Sequence, residues 1–137
     1  MKKSHKEIRE HLVETLLEAV PSCQAIYRFG SWGTDAERPD SDIDIAVLPS
    51  FPLELIYRWE LAQKIAIFAG RDVDLIDLLR APTVLRMQVI AHGERLYCAD
   101  ASSLDLFEDM VFSSYARLNE ERRDVLADIH QRGKIFE

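Results

Sequence analysis

The segment FGSWGTDAERPDSDIDIAVL, residues 29–48, contains a Gly-Ser turn, a polar loop and a strand that carries two carboxylates. Asp42 and Asp44 alternate with isoleucines before a continuous apolar run, which is the pattern of a strand with a buried face. Side chains two residues apart in a strand point to the same face, so the two carboxylates project side by side. Ile43, Ile45 and Val47 point the other way, into the core, and make the strand a rigid support.

Two adjacent carboxylates indicate a divalent cation. Like charges raise each other's pKa unless a cation neutralises them, and Mg²⁺ prefers a few carboxylates, retained waters and substrate phosphates. Asp74 lies in a second alternating segment, residues 72–75, and faces the same metal if the two strands are neighbours. Three carboxylates can hold two metal ions about 4 Å apart, which suits nucleotidyl transfer. Asp72 and Asp77 are alternatives for the third carboxylate, although Asp77 has the opposite parity in a regular strand.

Gly30 and Ser31 are the candidate phosphate-binding residues. A glycine directly after a strand allows the backbone to approach a phosphate closely, and Ser31 offers a hydroxyl and a backbone N–H. If a helical turn begins at Ser31, its N-terminus adds further donors. A plain turn is the alternative for these two residues taken alone, and only the nearby carboxylates favour phosphate binding.

The periodicity of the remaining sequence predicts four helices and four strands. The helices are expected over about residues 8–19, 53–69, 82–91 and 102–132, and the strands over 25–29, 42–48, 73–78 and 94–98. Ser102 or Ser103 is expected to cap the last helix and Gly133 to end it. The predicted order α-β-β-α-β-α-β-α belongs to the α/β (α+β) class, with a small mixed sheet packed by helices.

Bulk properties narrow the classes of partner. The chain has 137 residues, which is the length of one domain. Its formal net charge of −7 disfavours a nucleic acid polymer as the main partner. The two cysteines, Cys23 and Cys98, show no metal-binding or redox spacing. The N-terminus lacks the pattern of a signal peptide and the apolar runs are too short to span a membrane, so a cytoplasmic location without membrane contact is expected.

Other side chains near the motif are expected to have ordinary structural or surface roles. Trp32 follows the Gly-Ser turn and is more often a packing residue than part of a nucleotide pocket. Arg28, Arg38 and Arg71 are expected to be exposed and solubilising. The four histidines show no metal-ligand spacing and are expected at the surface.

The motif resembles a known signature. Gly30-Ser31, ten further residues and then Asp42-x-Asp44 are similar to the signature of the DNA polymerase β-like nucleotidyltransferase superfamily, and Asp74 resembles its third carboxylate. The chain is close to the minimal nucleotidyltransferase (MNT) domain. It resembles the MntA-type antitoxins of HEPN/MNT toxin–antitoxin modules from about residue 8 to residue 98.

The resemblance implies a polymerase β-like fold and an enzyme that transfers AMP from ATP to a tyrosine of a partner HEPN ribonuclease toxin. This AMPylation inactivates the toxin, and a hetero-oligomer of the two proteins is expected. By the same resemblance, Asp42 and Asp44 bind two Mg²⁺ ions, Asp74 completes the site, and Ser31 with Gly30 holds the β- and γ-phosphates of ATP. Residues 1–100 would form the nucleotidyltransferase domain, and residues 101–137 a long C-terminal helix that packs on this core and contacts the partner.

Two other functions remain open at this point. The chain is alternatively an antitoxin that neutralises the toxin by binding alone, without catalysis. It is alternatively a nucleotidyltransferase for a small hydroxylated molecule such as an antibiotic. The short chain disfavours this last function, because it holds little beyond the minimal core with which to grip a second substrate.

Overall fold

The computed structural model describes residues 3–135 and contains eight helices and strands in the predicted order. The helices are α1 (His5–Ala19), α2 (Leu55–Ala69), α3 (Thr83–His92) and α4 (Ala101–Ile135), and the strands are β1 (Ala25–Phe29), β2 (Ile43–Leu48), β3 (Val73–Asp77) and β4 (Glu94–Cys98). The four strands form one mixed sheet in the order β3-β2-β1-β4. The predicted fold class is confirmed, and most predicted boundaries agree within one or two residues.

The sheet places the ends of β1, β2 and β3 next to each other. β1 pairs antiparallel with both β2 and β4, whereas β2 pairs parallel with β3. In this register Phe29 lies opposite Asp44, and Asp44 lies opposite Asp74. A parallel pair needs a crossover connection, and α2 supplies it. The Gly-Ser turn after β1 therefore lies beside the first carboxylates of β2 and the carboxylate of β3.

Both faces of the sheet are covered by helices. On one face, α1 and α2 pack on Ile43, Ile45 and Val47, which are fully buried as their alternation predicts. On the other face, α3 and α4 pack on a second cluster that includes Ala46 and Leu48. Asp44 shares the parity of Ala46 and Leu48 but lies at the open end of the strand, so it is only partly covered.

The helix ends explain two differences from the sequence-based boundaries. Asp100 precedes α4 and accepts hydrogen bonds from Ser103 Oγ and the backbone at the helix start, which makes it the capping residue in place of Ser102 or Ser103. The backbone of α4 continues through Gly133 to Ile135. Glycine weakens a helix interior by about 1 kcal/mol but does not end it without a left-handed turn.

The first half of α4 is anchored to the sheet, and the second half is exposed. Tyr27 donates a hydrogen bond to Glu108 at 2.6 Å, and Arg95 of β4 bonds Glu108 and Asp105. Among residues 101–132 of the helix, Val111 is the last buried one, and residues 120–132 are all exposed. Within residues 3–135, no helix has the length and apolarity needed to cross a lipid bilayer.

Candidate active site

The three predicted carboxylates converge at one edge of the sheet. Asp42 directly precedes β2, and Asp44 and Asp74 are paired in the parallel ladder of β2 and β3. Asp42 and Asp74 are exposed, whereas Asp44 is half-buried between them. Partial burial, followed by the negative charges of Asp74 and Asp42, raises the pKa of Asp44 from its ordinary value near 3.8 to about 6. The site therefore concentrates negative charge that a bound cation would relieve.

Gly30 makes room for the central carboxylate. Its φ is +70°, a left-handed conformation that favours glycine. A Cβ at this position would overlap Oδ2 of Asp44 and come within 3.0 Å of its Cγ. The glycine is therefore required both by the backbone conformation and by the close approach of the turn to Asp44.

Ser31 connects the turn to the start of β2. Its Oγ donates a hydrogen bond to Ser41 Oγ at 3.1 Å, and Ser41 Oγ also accepts a bond from the backbone N–H of Arg38 at 2.8 Å. The two halves of the motif, ten residues apart in sequence, are thus joined immediately before Asp42. Residues 31–37 form hydrogen-bonded turns and no helix, so the additional donors of a helix N-terminus are absent at Ser31.

Arg28 was assigned an exposed solubilising role, and this prediction is wrong. The residue is 8% exposed. Its guanidinium donates hydrogen bonds to the carbonyl oxygens of Gly30 at 3.3 Å and Trp32 at 3.1 Å, and it pairs with Glu94 of β4. Arg28 therefore holds the Gly-Ser turn in place from inside the strand that precedes it. The missed signal is a cation inside an otherwise apolar strand, which needs buried acceptors.

The loop between the turn and β2 is held from two other elements. Glu37 accepts hydrogen bonds from Arg71, which precedes β3, and interacts with His5 of α1, each at 2.9 Å. Arg71 also donates a bond to the carbonyl oxygen of Ser41. These contacts lower the pKa of Glu37 against the raising effect of its desolvation. Arg71 therefore stabilises the loop through these hydrogen bonds. Of the three arginines that were expected to be exposed, only Arg38 is exposed.

The structure also resolves the roles of other residues considered from the sequence. Asp77 is fully buried and accepts hydrogen bonds from the backbone N–H groups of Leu53 and Leu79, so it fixes a loop and faces away from Asp74. Trp32 is 2% exposed and packs in the core, as predicted. Both cysteines are free, as expected.

The donor set fits Mg²⁺. It consists of three carboxylates, which are hard oxygen donors, and burial followed by the charges of Asp74 and Asp42 raises the pKa of Asp44. Within the described part of the chain, no three acidic, histidine or cysteine side chains are close enough to enclose a metal by themselves. Mg²⁺ is usually held by one or two carboxylates together with waters and substrate phosphates, so a preformed protein cage is not required here.

Two neighbouring grooves open beside the carboxylates. One, of about 430 Å³, is lined by Asp42 and Arg71. The other, of about 450 Å³, runs along β3 and the first half of α2, and Asp74 lines it. Asp72 lines both grooves. The catalytic edge is thus accessible from two sides.

Comparison with known proteins agrees with this arrangement. The family described as polymerase beta, nucleotidyltransferase matches residues 10–102, a range that contains all five candidate site residues. The chain belongs to the polymerase beta nucleotidyltransferase family. Among family members, protein adenylyltransferase MntA of Shewanella oneidensis is 41% identical over 118 residues, which cover 86% of this chain and 84% of the relative.

Two solved structures show the same polymerase beta nucleotidyltransferase fold at comparable identity. A chain of a toxin–antitoxin complex with AMP-PNP is 40% identical, with a TM-score of 0.81 over 88% of this chain and 97% of the other. A chain of the complex between the tri-AMPylated HEPN toxin and the MNT antitoxin of Shewanella oneidensis is 38% identical, with a TM-score of 0.79. That match covers 92% of this chain and 98% of the other. This family therefore includes close relatives that act within toxin–antitoxin complexes.

Proposed function

We propose that this protein is an antitoxin that acts as a Mg²⁺-dependent protein adenylyltransferase, transferring AMP from ATP to a tyrosine of a partner HEPN ribonuclease toxin. The observation that carries the proposal is the convergence of Asp42, Asp44 and Asp74 beside the Gly30–Ser31 turn. The similarity to a protein adenylyltransferase and to a complex with a tri-AMPylated toxin supports the choice of acceptor.

Each site residue has a role in this reaction. Gly30 and Ser31 bind the β- and γ-phosphates, with the backbone of the turn held by Arg28. Asp42 and Asp44, with Asp74, would hold Mg²⁺, and the bound ion would neutralise charge on the phosphates during transfer. The acceptor oxygen forms a bond to the α-phosphorus, the bond to the oxygen bridging the β-phosphate breaks, and pyrophosphate leaves. In this proposal Asp74, which is exposed at the edge of the site, takes the proton of the attacking hydroxyl.

We propose further that residues 1–100 form the catalytic domain and that the helix in residues 101–137 has two functions. Its first half packs on the sheet through Leu104 and Val111. Its second half exposes Val125, Leu126 and Ile129 to solvent and is available to the toxin. Such contact would give a hetero-oligomer. We place the reaction in the cytoplasm, where ATP is available, with neither a membrane nor a nucleic acid polymer as partner.

The test is to incubate the protein with ATP, Mg²⁺ and the HEPN protein encoded beside it, and to measure the intact mass of that partner. We expect an increase by whole AMP units, and none with Asp42→Asn combined with Asp44→Asn. Asp35→Asn changes an exposed carboxylate in the neighbouring loop and serves as the matched control. A partner whose mass never changes would contradict the proposal.

The same variants distinguish catalysis from neutralisation by binding alone. If the double variant, expressed at the level of the parent, still protects cells from the toxin in full, neutralisation by binding is the better description. We expect protection to be lost, because the substitutions remove the metal ligands and leave the exposed half of α4 unchanged.

A further inference from the structure

The groove beside Asp74 contains an exposed tryptophan that the proposed roles leave unused. Trp59 lies on α2 and is 63% exposed, in contrast to the buried Trp32. Leu55, one helical turn earlier on the same face, is 61% exposed and lines the same groove. Large exposed apolar side chains in a groove mark contact sites, and tryptophan is among the residues that contribute most to binding.

The same groove is lined by one arginine. Arg58 lines it together with Asp74, and within residues 3–135 its side chain makes no hydrogen bond or salt bridge. It is the single cationic residue among those that line this groove in the described structure. In a chain with a net charge of −7, an unpaired arginine beside the catalytic edge favours an acidic group on whatever enters.

The order of the strands determines which substrate this groove receives. The Gly30–Ser31 turn follows β1, Asp44 lies on the central β2, and Asp74 lies on β3 at the edge of the sheet. In nucleotidyl transfer the attacking and leaving oxygens are roughly in line on opposite sides of phosphorus. If pyrophosphate leaves toward the turn beyond β1, the attacking hydroxyl enters from the β3 side, where Asp74, Trp59 and Arg58 lie.

We infer that the groove between α2 and β3 is the acceptor site of the enzyme, in which Trp59 packs against the ring of the acceptor tyrosine and Arg58 pairs with an acidic side chain near it. This inference rests on the proposed function, since it assigns the acceptor of that reaction. Aromatic rings pack favourably on indole, and a tyrosine held there has its hydroxyl toward Asp74. Trp59 and Arg58 are therefore positioning residues for the acceptor and take no part in binding ATP.

The test measures initial rates of AMP incorporation at saturating ATP and Mg²⁺ over a range of concentrations of the HEPN protein encoded beside this chain. Trp59→Ala is expected to raise the KM for the HEPN protein about tenfold, the usual scale for loss of a central aromatic contact. The KM for ATP and the affinity for a non-hydrolysable ATP analogue are expected to stay within about twofold, because the phosphate-binding turn is unchanged. Ile56→Ala is the control, since Ile56 is equally exposed on the same helix and does not line the groove.

A charge series tests Arg58 independently. Arg58→Glu is expected to raise the KM for the HEPN protein and Arg58→Lys to restore most of the wild-type value, whereas Lys64→Glu, on another face of α2, has little effect. Weaker binding of the ATP analogue by Trp59→Ala, or equal effects of Ile56→Ala and Trp59→Ala, would overturn the acceptor assignment. If the wild type is active and neither Trp59→Ala nor Arg58→Glu changes the KM for the HEPN protein, the acceptor assignment is wrong but the proposed function stands. An inactive wild type would instead remove the proposed function on which it depends.

Discussion

Gly30 and Gly70 have the same backbone conformation but different surroundings. Both have a φ of +70°, yet a Cβ at Gly30 meets Asp44, whereas a Cβ at Gly70 has no heavy atom within 4 Å. Comparing alanine substitutions at the two glycines therefore distinguishes the effect of backbone strain from the effect of displacing the Asp44 carboxylate. We expect Gly70→Ala to lower the free energy of unfolding by about 1 kcal/mol with AMP transfer unchanged. Gly30→Ala is expected to show a similar loss of stability and a loss of transfer of at least about tenfold, because Asp44 is displaced.

Thermal unfolding and initial rates of AMP transfer measure the two effects for each variant. Normal transfer by Gly30→Ala would show that Asp44 can move without consequence, which contradicts its proposed role as a metal ligand. A loss of transfer by Gly70→Ala would show that left-handed glycine strain alone explains the result.

Because the pKa of Asp44 is raised, the stability of the metal-free protein is expected to depend on pH. The pKa is near 3.8 in the unfolded chain and about 6 in the folded protein, so the folded state binds more protons between these values. The free energy of unfolding therefore falls as pH rises from about 4 to 6 and stays low above 6. At pH 8 in EDTA, Asp44→Asn is expected to melt at a higher temperature than the wild type, because the cost of partly burying the charge and the repulsion from Asp74 and Asp42 are both gone.

Differential scanning fluorimetry at pH 5 and pH 8, with EDTA or with Mg²⁺ and an ATP analogue, checks this expectation. The cation and analogue should stabilise the wild type more at pH 8 than at pH 5, and should stabilise Asp44→Asn little at either pH. A variant that is less stable than the wild type in EDTA at pH 8 would contradict the electrostatic explanation.

At the scale of elements, the turn that follows β1 is held by the side chain of one residue of that strand, Arg28. Arg28 reaches forward from β1 to the carbonyl oxygens of Gly30 and Trp32. Replacing it with methionine leaves these acceptors without their donor and should cost about 2 kcal/mol of unfolding free energy. The loosened turn should also raise the KM for ATP. The exposed Arg38→Met is the control, and equal melting temperatures and ATP kinetics for the two variants would contradict the role of Arg28.

The sequence predicts strands and their faces well because alternation directly encodes burial on a sheet. Ile43, Ile45 and Val47 are buried as predicted, and the parity argument also separates Asp77 from Asp74. A cation inside an apolar strand indicates that Arg28 needs buried acceptors, but its partners are carbonyl oxygens of the following turn, and main-chain acceptors leave no residue-specific signal in sequence. The use of Asp100 as the helix cap was missed for a related reason, since several polar residues compete at the start of α4.

The candidate site residues could be predicted from the sequence, but their positions relative to one another in the fold could not. The spacing of Gly30-Ser31 and Asp42-x-Asp44 identifies the motif, and the parallel pairing that brings Asp74 beside Asp44 depends on strand order. Trp59 was not singled out from the sequence, because it lies within an apolar helix where a core position is the ordinary expectation. Its exposure follows from the side of the sheet on which α2 packs.

For the whole molecule, the exposed half of α4 is separable from the folded core. Over residues 101–132, the buried side chains of the helix end at Val111, and residues 120–132 are exposed. A chain that stops after Glu120 is therefore expected to unfold within a few degrees of the full-length protein and to bind the ATP analogue equally well. We expect it to lose most of its affinity for the HEPN protein, which gel filtration with light scattering would detect. A stable complex of the shortened chain would show that the partner binds elsewhere.

The parallel ladder between β2 and β3 has a consequence for how this enzyme diversifies. Backbone hydrogen bonds set Asp44 opposite Asp74, so the alignment of the reacting groups does not depend on the surface of the crossover helix between them. Substitutions on the outer side of α2 can accumulate and alter which protein is recognised without disturbing the chemistry. We expect related enzymes that act on different toxins to differ most along the outer side of α2, while the residues of the paired strands stay the same.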